Sequence, residues 1–234
     1  MDSEQVRNIL KSHGALTVDM YEAFTRGNPE IIYADENAVY IKHKCGVTML
    51  WAKDYTAATA ALKSADLPYG CVLHGKDTIK AFEEIAPSYN IGEPCLQYCR
   101  MSRKRFDVPK VCDIRPARHE DAPFIIAHYQ LDNDPEHIAK TIELGELQCA
   151  EVDGNLAGFI GTHGDGSIGM LEVMPEYRRR GIATALEFYQ MNRHIDLGYI
   201  PYGQVYASNS DSHALQRKVG LDISDDVISW AFCY

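Results

Sequence analysis

Pro175-Glu176-Tyr177-Arg178-Arg179-Arg180-Gly181-Ile182-Ala183-Thr184-Ala185-Leu186 is the stretch on which the fold turns. An apolar strand pattern, Ile168 to Met174, runs into it, and an amphipathic helix pattern ending near Gly198 runs out. A strand that breaks at proline, turns through arginines and opens a helix at glycine leaves several backbone N–H groups unpaired and pointing one way. Those donors and the positive end of the helix dipole form an anion site. Gly181 lets the backbone approach a phosphate with no Cβ in the way. The chain has a formal net charge of −10, so three consecutive arginines are a local exception. The run predicts a phosphorylated ligand.

Upstream, Cys112–Pro116 reads as a short strand, and Glu120-Asp121-Ala122-Pro123 as a helix start with an acidic cap and an early proline. A second helix starts at Asp134-Pro135-Glu136. Three strands follow, Leu147–Val152, Leu156–Thr162 and Ser167–Met174, joined by Asp153-Gly154-Asn155 and by His163-Gly164-Asp165-Gly166. Beyond the arginine turn and its helix come a strand at Gln204–Ala207, a helix at Ser210–Val219 and a last strand at Val227–Cys233. The order is β, α, α, β, β, β, α, β, α, β.

The first half repeats part of this layout. Ile31–Ala34, Ala38–His43 and Val47–Trp51 form a similar meander, with Asn37 matching Asn155 at an offset of 118 and Gly46 matching Gly166 at 120. Lys53 to Leu62 then occupies the place of Pro175 to Leu186, without the arginines and the glycine. A degenerate duplication predicts this pattern. Two unrelated α+β domains are the alternative. The boundary falls in the basic run Cys99–Val111, read as a solvated linker, giving domains at 1–105 and 111–234.

Bulk properties narrow the classes. The 234 residues can bury a sizeable core, and 46% hydrophobic with 24% charged residues is ordinary for a globular protein. The acidic balance argues against a nucleic-acid or membrane-surface partner. Met1-Asp2-Ser3-Glu4-Gln5 is polar, unlike a signal peptide, so the expected compartment is the cytoplasm and the expected state a monomer or homodimer. Seven cysteines are odd in number and sparse. Cys95 and Cys99 with His43 and His74 could be imagined around zinc, but the spacing fits buried thiols and no metal is expected.

Arg178-x-x-Gly181-x-Ala183 resembles the Arg/Gln-x-x-Gly-x-Gly/Ala motif of the GNAT superfamily of acyl-CoA-dependent N-acyltransferases. The helix that starts at Asn209 and ends at Gly220-Leu221 resembles the second signature of that family, and the element order is similar too. The resemblance covers about residues 112–234 and looks most like the glycine N-acyltransferase-like branch, which carries an extra N-terminal domain of degenerate GNAT shape. It implies a mixed α+β GNAT fold with a central mixed sheet, and acetyl-CoA or another acyl-CoA as co-substrate. Arg178, Arg179, Arg180, Gly181, Ile182, Ala183 and Thr184 would form the pyrophosphate loop, with backbone N–H groups from Arg179 to Thr184 as donors. Val173 would pair with the pantetheine as an added strand, and Asn209 and Ser212 would meet the same arm.

Many family members place a glutamate base eleven residues before the motif and a tyrosine acid seven residues after the asparagine; here those positions hold Ser167 and Gln216. Glu172 is the remaining candidate base, and Gln216 can still donate a hydrogen bond to the leaving thiolate. Simple alternation puts Glu172 opposite Ser167 unless a bulge breaks the parity. A glutamate facing solvent or pairing with an arginine is the other reading of Glu172. His163 and Asp165 read as turn residues, His213 as surface, and Tyr202, Trp230 and Tyr234 as either pocket or core aromatics. The expected activity is transfer of an acyl group, most simply acetyl, to the amine of a small molecule or amino acid. A non-catalytic CoA-binding module and a protein N-acetyltransferase are the alternatives.

Overall fold

The computed structural model describes residues 1–129 and 134–233. Its elements, in chain order, begin with α1 (Ser3–Ser12), α2 (Val18–Gly27), β1 (Glu30–Ala34), β2 (Ala38–Lys42), β3 (Thr48–Ala52), α3 (Tyr55–Leu62), β4 (Gly70–His74), α4 (Lys76–Ile85), β5 (Asn90–Ile91) and β6 (Cys95–Cys99). The second half continues with β7 (Asp113–Pro116), α5 (Ala122–His128), α6 (Pro135–Glu143), β8 (Leu147–Val152), β9 (Asn155–Thr162), β10 (Ile168–Val173), α7 (Ile182–Asp196), β11 (Tyr202–Tyr206), α8 (Ser210–Lys218), β12 (Asp222–Ile223) and β13 (Ile228–Phe232). Every element expected from Cys112 onward is present, with the short β12 added. The fold is mixed α+β, as expected.

Two compact units form, Met1–Met101 with Tyr202–Tyr234, and Ser102–Pro201. They do not follow the expected division at 1–105 and 111–234, and strand pairing is the reason. In the first unit the sheet runs β1-β2-β3-β4-β13-β6-β11, with β12 on β6 and β5 on β13. The last strand of the second half, β13, lies antiparallel to β4 from Ile228↔His74 to Phe232↔Gly70. The last strand of the first half, β6, lies antiparallel to β11 from Cys95↔Tyr206 to Cys99↔Tyr202. Each half thus gives its final strand to the other's ladder, and the backbone bonds tie the sequence ends into one sheet.

Alternation explains the layers of that unit. Val39 and Ile41 of β2 pack with Val6, Leu10, Met20 and Phe24 of α1 and α2. Ala38 and Tyr40, on the opposite face, pack with Ala58, Leu62 and Phe82 of α3 and α4. A buried polar cluster joins the α2 layer to the sheet. His74 Nε2 meets both Asp19 oxygens at 2.9 Å while its Nδ1 faces the Leu50 carbonyl at 3.0 Å. Both ring nitrogens face acceptors, so the bonds are complete only when both carry protons. Gln97 Nε2 and the Met20 N–H also donate to Asp19. Burial alone would raise the Asp19 pKa, but His74, Gln97 and Met20 outweigh it and hold the carboxyl below its ordinary 3.8.

In the second unit the sheet order is β10-β9-β8-β7, all antiparallel. Ile125, Tyr129, Ile138 and Ile142 of the α5–α6 side pack on Cys149, Phe159, Met170 and Met174. On the other face Thr162 bonds Gln190 and His194 of α7 at 2.6 and 3.0 Å. Part of the basic linker is pinned to α7: Arg105 pairs with Asp196, the Phe106 N–H donates to Asn192 at 2.9 Å, and Phe106 stacks on Phe188 at 4.3 Å.

The Asp19–His74 pair is fully buried, and removing one partner leaves an uncompensated charge. Asp19→Ala is expected to lower unfolding free energy by about 3–5 kcal/mol in urea titrations at pH 7. Because the folded Asp19 pKa is depressed, its contribution is complete above the unfolded value near 3.8 and is lost as pH falls through the folded value. The difference between wild type and variant should therefore shrink only on the acid side of that pH.

Candidate active site

β10 is an edge strand of its sheet, and its register slips by one between Gly169 and Glu172. Gly169 faces Gly161 and Glu172 faces Phe159, so Met170 and Leu171 together oppose Ile160. This is a β-bulge, and Met170 takes the uncommon φ of 52° to make it. Glu172 now shares a face with its cross-strand partner Phe159, the α5–α6 side of the sheet. Across from it, a Cβ on Gly158 would collide with the Glu172 carbonyl oxygen, so only glycine permits this approach.

The bulge also fixes where the backbone points. Beyond it the Met174 N–H donates to the Ala157 carbonyl at 2.9 Å. Antiparallel alternation makes Met174 and Glu172 the residues bonded to β9 and turns the Val173 N–H and carbonyl to the open edge. The Val173 carbonyl accepts from Arg178 Nε at 2.9 Å. Glu172 itself is half-buried. Burial raises its pKa above the ordinary 4.5, while Arg178 and His128 pull the other way.

Two residues of the loop below have left-handed backbone, Arg179 at φ 64° and Gly181 at φ 84°. Gly181 caps α7 without any side-chain bond, and the Ala185 N–H is the donor to its carbonyl, at 3.0 Å. The N–H groups of Ile182, Ala183 and Thr184 therefore have no acceptor within the helix. The three arginines are exposed and shape the loop: Arg178 holds Val173, and Arg180 donates to the Glu176 carbonyl at 2.8 Å and lies 5.3 Å from the Tyr177 ring centre.

Glu172, Val173 and residues 178–184 thus come together in one unit. Asn209, Ser212 and Gln216 belong to the other unit, where Asn209 caps α8 by accepting the Ser212 N–H at 3.0 Å and Gln216 lies on the buried face. Ser167 is buried and donates its N–H and Oγ–H to Asp165 Oδ1 at 3.0 and 2.8 Å, a turn-closing role that agrees with reading Asp165 as structural. His163 packs against Gly169 in the same turn.

One expectation needs correction. His213 is buried, and its Nδ1 lies 2.8 Å from the Tyr98 hydroxyl, because α8 turns it onto β6. Cys95 and Cys99 are buried thiols pushed up to about 12 by burial, His74 is engaged with Asp19, and His43 lies against Cys45. Among the described residues no group of three or more His, Cys, Asp or Glu is arranged to hold a metal. Tyr202 is a core residue, and Trp230 donates to Gln204 at 2.7 Å and stacks on Phe232. Tyr234 lies outside the described residues. No described helix is long and apolar enough to cross a membrane.

Sequence reasoning missed His128, the last residue of α5. Its Nδ1 lies 2.7 Å from the Phe124 carbonyl, and the Phe124 ring beside it meets Phe159, the cross-strand partner of Glu172. The Phe124-x-x-x-His128 spacing is ordinary for a helix, and only the bulge reveals that Glu172 shares its side of the sheet.

An edge strand with an outward N–H, leading into an uncapped helix N-terminus, suits a donor that carries both a strand-like arm and a phosphate. Residues 111–221 match the model of the acetyltransferase (GNAT) family. Solved structures share the fold along the whole chain. A Drosophila protein is 17% identical, with 100% of this chain and 97% of that one covered and a TM-score of 0.66. A GCN5-related N-acetyltransferase-like protein from Streptococcus suis is 12% identical, with coverages of 98% and 99% and a TM-score of 0.57. A GCN5-related N-acetyltransferase from Kribbella flavida is also 12% identical, with coverages of 94% and 95% and a TM-score of 0.57. A comparison with curated protein sequences finds no match.

A Cβ at position 181 would meet only Val111, at 3.9 Å, so the constraint there is conformational. Gly181→Ala is expected to strain the loop by about 1–2 kcal/mol. CoA affinity measured by calorimetry should fall about tenfold or more, while the strain lowers the melting temperature of the ligand-free chain by only a few degrees, roughly 2–4 °C per kcal/mol.

Proposed function

We propose that the chain moves an acetyl group from acetyl-CoA to the amine of a small molecule or amino acid. The observation that carries this reading is the pair of unpaired backbone features on one continuous segment, the Val173 edge and the α7 N-terminus. In this reading the N–H groups of Arg179 to Thr184 bind the pyrophosphate. The outward N–H of Val173 bonds the pantetheine and steadies the thioester oxygen as it gains charge. Asn209 and Ser212 meet the pantetheine arm, and Gln216 donates to the departing thiolate. Glu172 supplies the negative charge on which proton removal from the amine depends.

The first half is read as a degenerate copy that has lost the anion site. Its third strand is sealed, because β3 pairs in parallel with β4 from Thr48↔Cys71 to Trp51↔His74. Its helix start is filled, because the Asp54 carboxylate accepts the Ala57 N–H. Pro175 to Arg178 and the Ser212 to Leu221 helix support placing the protein in the glycine N-acyltransferase-like branch.

Thiol release from acetyl-CoA across a panel of amino acids, alkylamines and arylamines tests the reading. Turnover should rise toward pH 8–9 as the amine loses its proton, and a flat profile would count against the proposal. Glu172→Gln is expected to reduce kcat/KM by about tenfold or more at pH 7.5; a loss below about threefold removes Glu172 from the mechanism. Stabilisation by CoA with no thiol release from any amine would select a binding module instead.

A further inference from the structure

We propose that His128 takes the proton from the attacking amine and that Glu172 stabilises the imidazolium formed. The inference rests on the acyl-transfer reading and names the group that completes it. Its starting point is the side-chain geometry at the end of α5. A carbonyl oxygen can only accept, so the His128 nitrogen 2.7 Å from the Phe124 carbonyl, Nδ1, carries a proton. In the neutral ring the bare lone pair is then on Nε2. The residue is exposed, so a ligand can reach that lone pair.

Three further observations turn this into a site. The Phe124 ring lies 4.4 Å from the imidazole and limits its swing. The bulge at Met170 puts Glu172 on the α5–α6 face, and the Phe124 ring that lies against the imidazole also meets Phe159, the cross-strand partner of Glu172, at 6.4 Å. Arg178 also bears on Glu172 while its Nε holds the Val173 carbonyl, so among the described residues the charged or titratable groups brought to bear here are Glu172, His128 and Arg178. The positions where a base and an acid were expected hold Ser167 and Gln216, which do not titrate.

The step balances without any further reactant. The acceptor ammonium first gives one proton to His128 Nε2, and the neutral amine nitrogen so freed forms a bond to the thioester carbonyl carbon and releases its second proton to water. The carbon–sulfur bond then breaks and the electron pair leaves with the CoA thiolate. His128 returns its proton to water or to that thiolate, and the product is the amide. Meanwhile the Glu172 carboxylate favours the charged imidazolium over the neutral ring. The C-terminal end of α5 acts in the same direction.

His128→Asn decides the matter, because its amide can still donate to the Phe124 carbonyl while nothing replaces Nε2. With acetyl-CoA and an alkylamine acceptor at pH 7, kcat should fall about tenfold or more. With an arylamine, already neutral at that pH, the loss should stay below about threefold. CoA affinity by calorimetry should be unchanged. Full alkylamine activity in His128→Asn, or an equal loss with both amines, would overturn the role of His128. Failure of the wild-type chain to release thiol with any amine would instead overturn the acyl-transfer reading, and this proposal with it. His128→Gln, whose amide reaches toward the Nε2 position, should be equally impaired with alkylamines; activity restored by it would also overturn the proposal.

Discussion

The candidate site depends on one irregularity, the bulge that sets Met170 and Leu171 against Ile160. A non-glycine residue at φ 52° is strained by about 1–3 kcal/mol, so the surroundings must hold it there. They do so through packing and small neighbours: Met170 lies in the α5–α6 core, and Gly158 lets β10 approach closely just beyond the bulge. Two consequences follow from the one extra residue. Side-chain parity flips, which brings Glu172 to the α5 side. The hydrogen-bond phase fixed beyond the bulge turns the Val173 N–H outward. A regular strand through the same residues would reverse the facing of one end relative to the other.

The two halves show what a strand–turn–helix unit needs in order to keep an anion site. Both have an antiparallel three-strand meander followed by a helix. In the first half, β4 satisfies the outer edge of β3, and Asp54 satisfies the start of α3 with a negative charge of its own. An incoming phosphate would find the donors occupied and a carboxylate in the way. In the second half the edge of β10 has no neighbour in its sheet, and Gly181 offers no side chain. The same backbone plan is therefore inert in one place and receptive in the other, through a strand pairing and a cap.

Much of this was legible in the sequence, and what escaped it escaped for physical reasons. The meander, the arginine turn and the α7 and α8 signals are local patterns of period 2 or 3.6, and they appear where expected. The loop residues 178–184 were legible because Gly181 and its flanking strand and helix are contiguous. The exchange of β6 and β13 was not, because ladder neighbours far apart in sequence leave no local trace; an apolar strand reads alike beside β4 or beside β11. His213 illustrates the same point, since its partner Tyr98 arrives on the exchanged β6. The bulge could be suspected from the glycines of β9, but its position within β10 required the register.

The proton balance explains why a site without a tyrosine acid remains chemically sound. A thiolate with a conjugate acid near 8.5 leaves with modest help, so little is lost when Gln216 stands at the acid position. The amine is the harder partner. Freeing an alkylammonium near pKa 10.4 of its proton at pH 7 costs about 4–5 kcal/mol, against about 1 kcal/mol for an α-amine near 7.7–8.0. In the proposed reaction, rate control would shift to the side of the strand where the proton must go, the α5 side that Glu172 faces. There a half-buried carboxylate is pulled in opposite directions by burial and by two cationic neighbours. The same balance ties reactivity to the donor loop, because Arg178, which bears on Glu172, also holds the carbonyl of the strand edge that would receive the pantetheine.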